Sequence, residues 1–338
     1  MLVGIDENGL GPRLGPLVVT GVGVRARDAA AERLAGRPAR GALKARLGDS
    51  KALVSYDDMA LGEAWARVVA RKMTGAWAER PDEVLAALTL DARDALRAPC
   101  PSAHVEQCWD ATDEAFVADE ALVGEVQKDL DKLAKKGLEL AFARVVVVCS
   151  KRLNEAADVG RTRFEVDLHA MERLVLAARD AAGGDVAATC GKVGGYDRYA
   201  DSFGPLSGRL HVALEEGRAK SAYKFPGVGE IAFVRDADAS NVLVSLASLV
   251  GKWARDLLMA RVVRYHRAED PELPPVSGYH DPITARFVDA SRLARARRGV
   301  PDECFERRRA TEEPASSRKK PKGDAPASAR KKPRAEAG

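Results

Sequence analysis

Gly4-Ile5-Asp6-Glu7-Asn8-Gly9-Leu10-Gly11-Pro12-Arg13-Leu14-Gly15-Pro16 is the stretch on which the reading of this chain turns. Apolar runs at 2–5 (LVGI) and 17–24 (LVVTGVGV) flank it and read as buried strands joined by a turn rich in glycine and proline. Two adjacent acids end the first strand. Side chains alternate across a strand, so both acids reach one site only where the strand ends or bends. The glycines behind them supply that bend and let backbone amides approach a ligand closely. Acids buried at such a place need a partner, hydrogen bonds or a cation. Gly9, Gly11 and Gly15 do not make a dinucleotide fingerprint, because the spacing is off by one, Pro12 intervenes, and a strand follows where a helix is required.

Further along, residues 145–149 (VVVVC) read as a central strand, 186–190 (VAATC) and 230–235 (EIAFVR) as two more. Helical periodicity marks 28–47, interrupted by Gly36 and Pro38, then a stretch from Ser55 to about 72, then 164–182, 241–265 and 286–297. Residues 75–143 are rich in alanine, leucine and charge, with helical periodicity and no convincing strand. Strands mixed with helices, two of the strands adjacent near the start, indicate an α/β architecture with a mixed sheet.

Three other motifs accompany the acids. Asp49-Ser50-Lys51-Ala52-Leu53 places a lysine just after a helix-capping Asp-Ser, where it can meet a phosphate. Arg235-Asp236-Ala237-Asp238-Ala239 precedes a long apolar helix that carries Lys252 and Arg255. Ser277-Gly278-Tyr279-His280-Asp281-Pro282 is a tight loop displaying an aromatic hydroxyl.

In order and approximate spacing, these four motifs resemble the type 2 ribonuclease H (ribonuclease HII) family over about residues 2–72 and 145–295. That family reads Gly-Ile-Asp-Glu-Ala-Gly-Arg-Gly-Pro at the first motif, Asp-Ser-Lys-Lys-Leu at the second, and Lys-Ala-Asp before its long helix. The resemblance implies a ribonuclease H-like mixed β-sheet flanked by helices. It also implies a metal-dependent endoribonuclease that hydrolyses the RNA strand of RNA–DNA hybrids or ribonucleotides embedded in DNA. Asp6, Glu7 and Asp238 match the catalytic, metal-binding carboxylates, with Mg²⁺ or Mn²⁺ as the cofactor. Ser50 and Lys51 match the phosphate contact. Tyr279 matches the tyrosine beside the scissile junction, and Gly9, Leu10 and Gly11 match the segment whose backbone meets the ribose 2′-hydroxyl. Hard oxygen ligands suit those cations, and the 2′-hydroxyl is what distinguishes RNA from DNA.

The chain departs from the family at a fourth carboxylate. The aspartate that ends the strand after the amphipathic helix falls here at Cys190 or Gly191, and Lys192 adds a positive charge beside it. Asp185, Asp197 and Asp201 are nearby acids that could substitute. The glycine segment has Leu10 where the family has arginine, and Asn8 where it has alanine. The alternative function is therefore a catalytically silent hybrid-binding module that has kept the fold.

The expected organisation is a core of residues 1–74 and 144–310 with a helical C-terminal region, a helical insertion at 75–143, and a disordered basic tail at 311–338. The tail holds eight Lys or Arg against four Asp or Glu, which accounts for the whole formal charge of +4 and makes it an arm suited to polyanions. Five cysteines at wide spacing do not make a disulfide framework, so reduced thiols are expected. Cys100, His104 and Cys108 recur every four residues and could share a helix face toward Zn²⁺, but Pro101 between them and Val105 and Trp109 beside them favour packing. With no apolar run that spans a bilayer and no signal-like leader, a cytoplasmic protein is expected.

Overall fold

The computed structural model describes residues 1–100, 106–110, 113–193 and 195–308, with side chains at 107–109 only within the second segment. The expected tail, together with Pro101, His104 and Val105, lies outside the described residues.

In chain order, β1 (Leu2–Asn8) and β2 (Leu17–Ala26) are followed by α1 (Ala29–Ala35), the short α2 (Ser50–Leu53) and α3 (Ala60–Thr74). Helices α4 (Pro81–Leu88), α5 (Arg93–Arg97) and α6 (Glu120–Lys135) lead to β3 (Leu138–Val148). Next come α7 (Ser150–Asp158), α8 (Arg163–Ala182), β4 (Val186–Gly191), a hairpin of β5 (Val212–Glu216) and β6 (Lys220–Phe225), and β7 (Gly229–Val234). Then follow α9 (Ala237–Ser240), α10 (Val242–Arg267), α11 (Pro282–Ala290), α12 (Arg292–Arg297) and α13 (Asp302–Phe305).

The strands form one seven-stranded sheet in the order β3-β2-β1-β4-β7-β6-β5. β4 runs parallel to β1 and to β7, while the remaining neighbours are antiparallel. The mixed sheet flanked by helices expected from the sequence is the arrangement observed. Two expectations need correction. The strand at 145–149 is not central: β3 lies at the sheet edge and begins at Leu138, inside the stretch read as helical. It looks central in sequence because both its faces are covered, with Val145 and Val147 in one core and Phe142 and Val146 in the other.

One core packs α3, α6 and α10 against the sheet, and the other packs α8 against the opposite face. α10 is apolar nearly all round because it is sandwiched between the sheet on one side and α3 and the turn at 106–110 on the other. It approaches β1 so closely that a Cβ on Gly4 would lie 2.3 Å from the Leu243 backbone, so only glycine fits there. α8 starts with a full capping box between Thr162 and Glu165 and stops at Gly183 in the left-handed conformation. A third cluster, including Leu14, Met259, Phe287 and Phe305, ties the C-terminal helices to the loop after β1. No helix among the described residues is long and apolar enough to cross a membrane.

Candidate functional site

β1, β4 and β7 are mutually parallel, so their carboxyl ends open on the same edge of the sheet, the usual place for a ligand in α/β folds. A polar cleft of about 320 Å³ lies there. All nine residues singled out from the sequence line it: Asp6, Glu7, Gly9, Leu10, Gly11, Ser50, Lys51, Asp238 and Tyr279. The long-range juxtaposition of Asp238 with Asp6 follows from β7 delivering the chain beside β4, and α10 then running back under β1.

Strand alternation sends the two acids to different sides. Val3 and Ile5 belong to the α8 core, so Glu7 points to that side and Asp6 toward α10. Asp6 is only 8% exposed. Burial, then the charge of Glu7, push its carboxyl well above the ordinary range, while the Ser248 hydroxyl and Lys51 act against the rise. The hydroxyls of Ser248 and Ser50 are hydrogen-bonded to each other at 2.9 Å, which fixes the lysine motif against α10. Glu7 is pushed up to about 8, first by burial and then by the charge of Asp167. Asp238 stands on the one-turn helix α9, its backbone carbonyl accepting from Ser245 Oγ at 2.5 Å. Asp236, immediately before α9, has φ of +53°, the left-handed region, which no other non-glycine residue among those described adopts. That strain, roughly 1 kcal/mol or more, sits at the turn that carries Asp238 into the cleft.

The rim is basic and aromatic. Lys51 is exposed at the start of α2. Arg255, almost wholly buried, donates to Asp256 Oδ1 at 2.7 Å and to the Ser277 carbonyl at 2.6 Å, and its guanidinium lies 4.9 Å from the centre of the Tyr279 ring. Gly9, at φ of +87°, turns the glycine-rich segment so tightly that a Cβ there would lie 2.8 Å from Arg255 Nε. The same segment is held from below by Arg307, which donates to the carbonyls of Gly9 at 2.6 Å and Gly15 at 2.8 Å.

The missing carboxylate is resolved by position. Cys190 pairs with Ile5 and is buried in the α8 core, whereas Gly191 faces Asp6: a Cβ on Gly191 would lie 2.9 Å from Asp6 Oδ1 and 3.3 Å from Glu7 Oε2. Gly191 is therefore the position opposite the acids. Lys192 lines the cleft, but its ammonium is engaged by other groups. Its side chain is buried, and Nζ donates to the Gly217 carbonyl, to Ser221 Oγ at 3.2 Å and to Asp197 Oδ1 at 3.2 Å. None of the three acids considered as substitutes lines the cleft. Asp197 is taken by Lys192, Asp185 lies before the opposite end of β4 beside Lys224, and Asp201 is exposed.

An unexpected acid lies behind the site. Asp167 on α8 is fully buried, and neither carboxyl oxygen has a hydrogen-bond partner. Burial and the charge of Asp6 hold its carboxyl well above the usual range. The signal was in the sequence: between Phe164 and Met171, Asp167 occupies the apolar stripe of an amphipathic helix.

Among the described residues, no three His, Cys, Asp or Glu side chains are already gathered closely enough to hold an ion. At the cleft, Glu7 and Asp238 disfavour charge on Asp6, and Asp238 disfavours it on Glu7, an effect a bound cation would offset.

No protein-family model matches the chain, and no curated protein does. Solved structures that resemble it include the RNase HII of Archaeoglobus fulgidus in its PCNA complex, with a TM-score of 0.40 and 17% identity over 90% of this chain and 91% of that one. The ribonuclease H2 of Pyrococcus horikoshii OT3 gives 0.42 and 16% over 90% and 91%. Bst-RNase HIII in complex with Mn²⁺ gives 0.42 and 12% over 90% of this chain and 65% of that one.

Proposed function

We propose that the cleft is the active site of a divalent-cation-dependent endoribonuclease that cuts the RNA strand of an RNA–DNA hybrid or a ribonucleotide embedded in duplex DNA. One observation carries the reading. Buried Asp6 and half-buried Glu7 stand with Asp238 in one cleft, where Glu7 and Asp238 disfavour charge on Asp6 and Lys51 acts against that effect. Such a set is costly by itself and becomes favourable around a cation. Its donors are hard oxygens, which fit Mg²⁺ or Mn²⁺. Gly191, with no side chain, lets the Asp6 and Glu7 carboxyls pack against its backbone.

Asp6, Glu7 and Asp238 would hold the ion, which when bound activates water and neutralises charge on a phosphodiester. The chain's own residues do the rest. Lys51 sits where its ammonium meets a backbone phosphate. Tyr279, backed by Arg255, presents a ring and hydroxyl to the sugar at the scissile junction. The backbone of Gly9, Leu10 and Gly11, braced by Arg307, lies where a 2′-hydroxyl can be recognised.

The test is incubation of the purified protein with Mg²⁺ or Mn²⁺ and three labelled duplexes: an RNA–DNA hybrid, DNA with one embedded ribonucleotide, and plain DNA. Cation-dependent cleavage of either ribonucleotide-containing duplex, with plain DNA intact, is expected. Hybrid binding without cleavage under any cation would overturn the enzyme reading in favour of a silent binding module.

A further inference from the structure

Four of the five cysteines, separated by up to two hundred residues in sequence, meet at one place remote from the cleft. Cys100 follows α5, Cys108 lies in the turn at 106–110, Cys149 caps α7, and Cys304 is on α13. All four line a cavity of about 30 Å³, walled otherwise by apolar side chains such as Trp109 and Phe305 and by the polar Gln107, Ser150 and Lys151. That volume admits a single ion or water and no organic ligand. All four are free thiols that share this lining without three of them being already gathered closely enough to hold an ion. Cys190, the fifth, belongs to the α8 core instead.

We propose that Cys100, Cys108, Cys149 and Cys304 form a tetrathiolate site for a soft divalent cation, Zn²⁺. Thiolate sulfur is the preferred donor for zinc, and four such donors make its closed, tetrahedral structural site. The surroundings suit the charge of two minus that such a centre carries. Lys151 favours thiolate on Cys100 and Cys304, and Arg152 on Cys100 and Cys149. The backbone amides of Lys151 and Arg152 lie near the Cys149 sulfur without closing a capping hydrogen bond, and Gln107 Nε2 donates to Cys108 Sγ at 3.7 Å. Donors of this kind orient and stabilise metal-bound sulfur. Without the cation the four are free thiols that stand apart. Ligation releases their protons and draws the sulfurs in to about 2.3 Å from the zinc.

The site would join three segments that the sequence keeps apart: the helices before β3, the start of α7, and α13. The last leads within three residues to Arg307, the clamp on the glycine-rich segment. The inference does not depend on the nuclease reading.

The full-length protein, purified with reductant and without chelator, is analysed for zinc. One ion per chain is expected in wild type, in Cys190→Ser and in Asp6→Asn, and none in Cys149→Ser or Cys304→Ser. Should those serine variants misfold, wild type exchanged with Co²⁺ decides: sulfur-to-cobalt charge transfer and intense tetrahedral d–d bands are expected. Four additional thiols should react with a thiol reagent once zinc is stripped. Wild type that takes up no zinc and gives no tetrahedral cobalt spectrum would overturn the site. So would zinc undiminished in a folded Cys304→Ser, or metal-free protein lacking a pair of titratable thiols through disulfide formation.

Discussion

Gly191 stands directly opposite Asp6, where a Cβ would lie 2.9 Å from the Asp6 carboxyl oxygen Oδ1. Its neighbour Cys190 points the other way, into the core beneath α8. Aspartate at the two positions should therefore have opposite consequences. Gly191→Asp adds a hard oxygen ligand to the cleft, and its φ is not in the left-handed region, so the backbone accepts a side chain once Asp6 shifts slightly. Tighter Mg²⁺ binding and faster cleavage are expected. Cys190→Asp puts a carboxyl beside Asp167 in the apolar core and should cost on the order of 1–3 kcal/mol of stability without raising activity. Calorimetric Mg²⁺ titration and thermal melts of both variants check this; better catalysis from Cys190→Asp would contradict the assignment of faces.

The pH dependence of the cation-free protein should run opposite to that of an ordinary acid-labile fold. Glu7 is raised from 4.5 to about 8, so over that interval the folded chain holds a proton that the unfolded chain has released. The folded state binds more protons, and stability must fall as pH rises through the interval. Asp6 is raised in the same direction. A bound cation favours the ionised forms, so Mg²⁺ should offset the fall. Melting temperature followed with pH in chelator and in Mg²⁺ tests it; a curve that rises with pH in chelator would contradict the burial of these acids.

Asp167 gives a finer test of the same electrostatics. Its charge is the second cause of the rise at Glu7. In Asp167→Asn that influence is gone, so Glu7 ionises at lower pH and Mn²⁺ affinity should begin to rise at lower pH than in wild type. An unmoved pH profile would mean that Asp167 does not communicate with the cleft.

Arg307 and the tail beyond it should behave differently. Arg307→Ala leaves the carbonyls of Gly9 and Gly15 without their buried donor and should cost about 1–3 kcal/mol, with lost cleavage. Deleting residues 312–338 should leave the melting temperature unchanged. The deleted segment carries the chain's net charge of +4, so nucleic-acid affinity should weaken mainly at low salt. A salt slope unaltered by truncation would make the tail a bystander.

Much of this was legible in the sequence because local pattern and tertiary demand agree. β1, β2, β4 and β7 are apolar runs bounded by turns, and α8 and α10 keep helical spacing over many residues. The hairpin β5–β6 was not legible: Val212–Glu216 is exposed along its whole length, so no buried face imprints a period on it. The start of β3 was hidden by Leu, Glu and Ala, residues that favour helix, overridden here by pairing with β2. At the cleft, a motif names a residue but not the direction of its side chain. In sequence Lys192 is a bare positive charge beside the acids, whereas in the fold its ammonium is engaged by Ser221 and Asp197. The convergence of Cys149 and Cys304 with Cys100 and Cys108 is a property of topology, which no spacing reveals.

The central claim, that Asp6 holds a cation needed for phosphodiester hydrolysis, is tested most directly by single-turnover cleavage and binding of a duplex with one embedded ribonucleotide, comparing wild type with Asp6→Asn in Mg²⁺. A lost ligand to a catalytic ion costs several kcal/mol, or about 100-fold or more in rate. Binding should be unchanged or tighter, since the substitution also removes a negative charge that repels phosphate. Cleavage by Asp6→Asn at the wild-type rate would contradict the account.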